Sequence, residues 1–204
     1  YSAAYIMPSG GKGTRYVKKH QMNLQLVTRM IEDRVPQQLA EMKSMRDAFE
    51  LLLSYPTIGD FLGYQYVTDL NYSTLTSFSE MEFVTPGPGA IDGIHKCFSD
   101  LGGLNETEII KLVAERQDME FERLGISFRS LWGRPLQLID CQNVFCEVSK
   151  YARLRNPHII GKSKRMRIKQ LFRPNDGRLE YFFPPKWRIK VSADQPTVSC
   201  HSKT

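Results

Sequence analysis

The sequence predicts an all-α chain with a small basic β-hairpin near its C-terminal end. Three observations carry that expectation. Apolar residues recur at helical spacing through most of the first 155 positions. Proline and glycine punctuate those runs at Pro56–Gly59, Pro86–Gly89 and Leu101–Gly103. The clearest strand–turn–strand pattern spans Ile168–Phe172 and Leu179–Phe183 around an Asp176–Gly177 turn. The chain divides accordingly into a helical domain over 1–160, a basic hairpin extension over 161–183, and a peripheral or mobile tail over 184–204.

Taken in order, Pro8–Thr14 reads as a flexible loop. It is not a phosphate-binding Walker loop, because Lys12 is followed by Gly13 rather than Ser or Thr. His20 to Asp33 is an amphipathic helix whose Leu24, Val27, Met30 and Ile31 are expected to face inward, and Arg34 to Ala40 is a short second helix begun by Pro36. Met45 to Ser54 is apolar and helical until Pro56, whose ring forbids a regular turn behind it. After Gly59, Phe61, Leu62, Tyr64, Tyr66 and Val67 resume a buried helix. A tight turn ending in Gly between two helices can direct backbone N–H groups at a phosphate. Thr57, Ile58 and Gly59 are therefore candidates for gripping a nucleic-acid backbone.

Pro86-Gly87-Pro88-Gly89 is read as a rigid break, with Gly87 and Gly89 open to phosphate approach. A helix is expected to start at Ala90, placing Asp92 in its first turn, where the helix N-terminus keeps a carboxylate ionised. Asn105-Glu106-Thr107-Glu108 carries a capping signal before a long helix with one solvated side. Leu136 to Arg153 is expected as a further helix, on which Asp140, Asn143 and Glu147 share a stripe. With Gln142 and Tyr64 they are candidates for lining a pocket that reads a base edge.

Charge narrows the class of partner. Lys+Arg 28 against Asp+Glu 22 gives a net charge of +6, and nine Lys or Arg residues fall between Lys150 and Arg173 with no acid among them. That asymmetry fits a polyanion. Arg153, Lys162, Lys164, Arg165, Arg167 and Lys169, together with Lys96, are the candidate DNA contacts. The four cysteines have no Cys-x-x-Cys spacing and no His at ligand distance, so no metal and no cofactor is expected. No apolar run approaches the ~20 residues that span a bilayer, and no signal peptide is visible, so an intracellular protein with no membrane association is expected. Because position 1 is Tyr, the numbering is read as starting inside a longer chain. Nothing in the pattern specifies an oligomeric state.

Leu53-Ser54-Tyr55-Pro56-Thr57-Ile58-Gly59, followed by a buried helix and a Val-led loop into another helix, resembles the helix-hairpin-helix DNA glycosylase superfamily. More closely, Ala4-Tyr5-Ile6-Met7, Tyr55–Leu62, Val84–Ala90 and Leu138–Glu147 resemble the α-glutamyl/putrescinyl thymine pyrophosphorylases, a family also described as the helical domain of 5-hydroxymethyl-deoxyuridine DNA kinases. The resemblance covers most of residues 1 to 175. It implies a glycosylase-like helical fold, DNA with 5-hydroxymethyl-derived pyrimidines as partner, and a target base flipped from the helix. Phe61 stands where bifunctional glycosylases carry Lys, which implies monofunctional chemistry. Val84-Thr85 stands where the superfamily shows Val-Asp, leaving Asp92 as the nearest carboxylate for a catalytic role.

The expectation ranked first is a monofunctional glycosylase hydrolysing the N-glycosidic bond, with Asp92 stabilising charge on the sugar. One alternative is transfer of an amine or amino acid to an activated 5-hydroxymethyluracil. Another is a DNA-binding module without catalysis.

Overall fold

The computed structural model describes residues 18–128, 130–163 and 181–190. Their regular structure is helical: α1 (Lys19–Glu32), α2 (Val35–Glu41), α3 (Met45–Leu53), α4 (Asp60–Tyr72), α5 (Pro88–Cys97), α6 (Glu106–Arg123), α7 (Leu138–Arg155) and a 3-10 turn at Pro185–Trp187. The all-α expectation holds among the described residues. The expected β-hairpin lies almost wholly outside them, and its last residues, 181–183, carry no strand. Pro8–Thr14 and Ala4–Met7 also lie outside the described residues. The chain forms two compact units, divided between Gly87 and Pro88.

In the first unit, α3 and α4 make the expected helical hairpin. Ser44 Oγ accepts from the Asp47 N–H (3.0 Å) and starts α3. The Glu82 carboxylate accepts from the Met45 N–H (3.3 Å), which gives a purpose to the acidic turn of the connecting segment. Gly63 lets α4 lie close on α3, since a Cβ there would touch Leu53 and Phe49 at 3.1 and 3.2 Å. Phe49, Tyr64 and Phe83 complete this core, with Phe83 ring centres 5.0 Å from Phe49 and 5.9 Å from Tyr64. Buried Asn71 accepts from the Phe78 N–H and donates to the Phe78 carbonyl (2.9 and 3.1 Å), folding the segment after α4 back on itself.

The inward face expected of α1 is not inward. Leu24, Val27 and Ile31 are 64%, 51% and 64% exposed. Amphipathic spacing reports that a helix has an apolar face; it does not report what covers it.

In the second unit, α5 crosses α7 at close range. A Cβ at Gly93 would lie 1.9 Å from the Phe145 carbonyl oxygen, and one at Gly89 would lie 2.4 Å from Cys146 Sγ. Two glycines one turn apart thus open the crossing. α6 is capped as expected, with Asn105 Oδ1 accepting from the Glu108 N–H and the Glu108 carboxylate accepting from the Asn105 N–H (3.0 and 2.7 Å). Gln117, buried on α6, exchanges two hydrogen bonds with the Leu136 backbone (2.9 and 2.7 Å) and sets the approach to α7.

One boundary moves with consequence. α5 starts at Pro88, not at Ala90. Proline suits the first helical position, where its fixed φ is already helical and its missing N–H would have had no partner. Asp92 therefore sits in the second turn, and the helix N-terminus is not what holds its charge.

Candidate functional site

The crossing of α5 and α7 assembles a buried ionic cage. Asp92 and Lys96 lie one turn apart on α5, and Ser149 and Arg153 lie one turn apart on α7, so each pair shares a face. Asp92 is 1% exposed. Its Oδ2 accepts from Ser149 Oγ at 2.6 Å and lies 3.0 Å from Lys96 Nζ. Arg153 donates to Ser149 Oγ at 3.1 Å and stands 3.9 Å from the carboxylate. The chain after α7 then returns: the Ser163 N–H donates to Asp92 Oδ1 at 2.7 Å. Gly161 rests against the same carboxylate, where a Cβ would be 2.4 Å from Oδ1.

The electrostatics follow from that geometry. Burial alone would raise the Asp92 pKa, but the donors from Ser149, the Ser163 backbone and Lys96 outweigh it and hold the group well below the ordinary carboxylate range. Asp92 is a fixed anion with both oxygens occupied. Such a group holds its neighbours in place; it takes up a proton poorly near neutral pH.

A second contact lies next to the first. Glu106 Oε1, at the start of α6, receives Lys162 Nζ at 2.8 Å and faces His95 Nε2 at 2.9 Å. Lys162 first, and then His95, bring the Glu106 pKa down to about 2. Lys162 and Ser163, the first residues of the basic run after the turn, are thus fastened to two helices at once.

The structure distributes the expected site residues as follows. Asp92, Lys96 and Arg153 come together inside the cage, Lys96 and Arg153 with side chains only 4% and 11% exposed. Lys162 is 58% exposed and held by Glu106. Lys164, Arg165, Arg167 and Lys169 lie outside the described residues. Gly89 faces Cys146 across the helix crossing. Gly87 is buried just before α5. In the hairpin, Thr57 takes a left-handed φ of 71°, Ile58 is buried, and Gly59 is the extended residue that precedes α4. A Cβ at Gly59 would meet nothing within 4 Å.

The α7 stripe does not converge on one point. Asp140 caps its own helix through the Gln137 N–H (2.8 Å) and faces Arg134 at 3.4 Å. Buried Gln142 donates to exposed Asn143 (2.9 Å), and exposed Glu147 pairs with Lys150. Tyr64 belongs to the core of the first unit. Sequence reasoning missed Ser149, Gly161, Ser163, His95 and Glu106. A small hydroxyl on the apolar face of α7, one turn before Arg153, was the available signal for Ser149.

Among the described residues no group of three His, Cys, Asp or Glu side chains is placed to hold a metal ion, and no helix is long and apolar enough to cross a membrane.

Comparison with known proteins supplies the rest. The family model of the 5-hmdU DNA kinase helical domain matches residues 1–161. A 5-hmdU DNA kinase of Bacillus phage SP10 is 31% identical over 117 residues, which cover 53% of this chain and 18% of the phage protein. The match thus spans under a fifth of that relative. No solved structure matches. These findings correct the expected chemistry: the relative is a kinase, so cleavage of the N-glycosidic bond, and the excision role given to Asp92, are withdrawn. The group-transfer and non-catalytic alternatives gain no support from either comparison. With the family model matched over residues 1–161, the chain belongs to the family of 5-hmdU DNA kinase helical domains.

Proposed function

We propose that this domain engages DNA carrying 5-hydroxymethyluracil and serves the phosphorylation of its hydroxymethyl group. The family match over residues 1–161 carries the reading, and the identity to a phage 5-hmdU DNA kinase supports it. In such a reaction the hydroxymethyl oxygen bonds to the terminal phosphorus of a nucleoside triphosphate, the P–O bond to the departing diphosphate breaks, and the hydroxyl proton is lost. This domain takes the DNA side of that reaction.

Several observations suit that task. The net charge of +6 favours a polyanion. The open space beside Gly59, at the start of α4, suits close approach of a backbone phosphate to Thr57, Ile58 and Gly59. The basic run that begins at Lys162 supplies positive charge for the DNA backbone. Asn143, exposed on α7, is the polar-stripe residue best placed to meet a base edge. Asp92 organises: it fixes the point from which the basic extension departs.

The test uses the protein that carries this chain, ATP, and two strands identical except for 5-hydroxymethyluracil or thymine at one position. Mass spectrometry should find one phosphoryl group added to the modified strand alone. Free base with an abasic strand, or no mass change in either strand, would overturn the reading.

A further inference from the structure

The sequence contains two tryptophans, Trp132 and Trp187. Both join one aromatic cluster in the second unit, and neither takes part in the Asp92 cage. Leu131 and Arg134 pair as an isolated antiparallel bridge that closes a two-residue turn over Trp132 and Gly133. Both turn residues are left-handed, with φ of 49° and 91°. Glycine adopts that region freely, whereas a large side chain such as Trp132 rarely does. The turn presents the Trp132 indole to Tyr181 and Phe183, with ring centres 5.0 and 5.3 Å away.

Tyr181 and Phe183 lie nearly parallel, 12° apart in plane. Phe183 continues to Trp187 at 6.3 Å, and the Arg134 guanidinium caps the Trp187 ring at 3.9 Å. Phe182 stands between these two clustered rings in the sequence. It is 89% exposed, while Tyr181 beside it is 44% exposed. Between Tyr181 and Lys190 the chain carries Lys186, Arg188 and Lys190 and no acid.

We propose that Phe182, backed by the Trp132–Tyr181–Phe183–Trp187 cluster, is a stacking platform for unpaired bases of single-stranded DNA, with Lys186, Arg188 and Lys190 drawing in its phosphates. This rests on the reading that the domain engages DNA. An exposed ring on a segment anchored by aromatic packing offers a flat face at little cost in flexibility. Any base can stack on it, and the neighbouring charge is complementary to a phosphate chain. Three basic residues and no acid in the sequence from Tyr181 to Lys190 favour a phosphate chain over a protein partner.

The two tryptophans make the test direct. The full chain is titrated with a labelled oligothymidylate, single-stranded or annealed to its complement, and followed by anisotropy and by intrinsic tryptophan fluorescence. The single strand should quench the fluorescence, and Phe182→Ala should weaken single-strand binding about tenfold while leaving duplex binding unchanged. The unfolding midpoint of the variant should match the parent, because the ring is already in solvent. Unchanged single-strand affinity in Phe182→Ala, or binding without quenching, would overturn the platform and leave the DNA reading intact. Failure of the parent to bind either form would overturn both.

Discussion

Replacing Asp92 by Asn probes the cage with almost no change in shape. The amide keeps the volume but loses the charge, and one of its two ends becomes a donor facing donors from Ser149, Ser163 or Lys96. Lys96, 4% exposed, then keeps its buried charge on the Ser149 carbonyl at 3.3 Å in place of a carboxylate. Breaking a buried pair on one side costs about 3–5 kcal/mol, a large part of a total stability of roughly 5–15 kcal/mol. With a urea slope of about 2 kcal/mol per molar, a loss near 4 kcal/mol moves the midpoint down by about 2 M. Urea unfolding followed by circular dichroism measures it. An Asp92→Asn protein within about 1 kcal/mol of the parent would refute the organising role.

Three other expectations follow from the geometry. Gly93→Ala places a methyl 1.9 Å from the Phe145 carbonyl oxygen, a backbone atom that cannot rotate aside, so α5 and α7 must part; the loss, about 3 kcal/mol or more, is read by thermal unfolding. Gly59→Ala meets open space at a φ of −98°, so unfolding should change by less than about 1 kcal/mol while DNA affinity falls, a split that separates a contact surface from a packing position. The Glu106 carboxyl has its pKa lowered from 4.5 to about 2, so its contribution is complete above pH 4.5 and is lost as the pH falls through about 2. Amide exchange at Ser163, whose N–H is bonded to Asp92 beside Lys162, should stay slow down to that range, and Glu106→Gln should speed it at neutral pH.

The helical hairpin was legible because its signals are local. Pro56 stops one helix, Gly59 begins the next, and the apolar positions on either side repeat at helical spacing. The Asn105 cap was legible for the same reason, since donor and acceptor lie three residues apart. Pro88 misled because Pro-Gly pairs mark turns as often as helix starts, and the choice depends on whether a neighbour welcomes the glycine. Here α7 does, at Cys146.

The cage was illegible for a different reason. Ser149 and Ser163 reach Asp92 from 57 and 71 residues away, and no local period encodes such a meeting. Asp92 and Lys96 could be seen to share a helix face, and Ser149 and Arg153 likewise, but the crossing that joins the two faces is set by Gly93 against the Phe145 backbone. The same holds for Trp132, whose left-handed turn and distant aromatic partners have no marker in the sequence beyond the glycine that follows it.

Whether this domain itself distinguishes 5-hydroxymethyluracil in DNA is tested most directly by the affinity of the chain for two duplexes that differ only by that base or thymine at one position, measured by anisotropy over a range of salt. Tighter binding to the modified duplex is expected, with both affinities falling as salt rises because phosphate contacts dominate. Equal affinity for the two duplexes, or no salt-dependent binding to either, would contradict it.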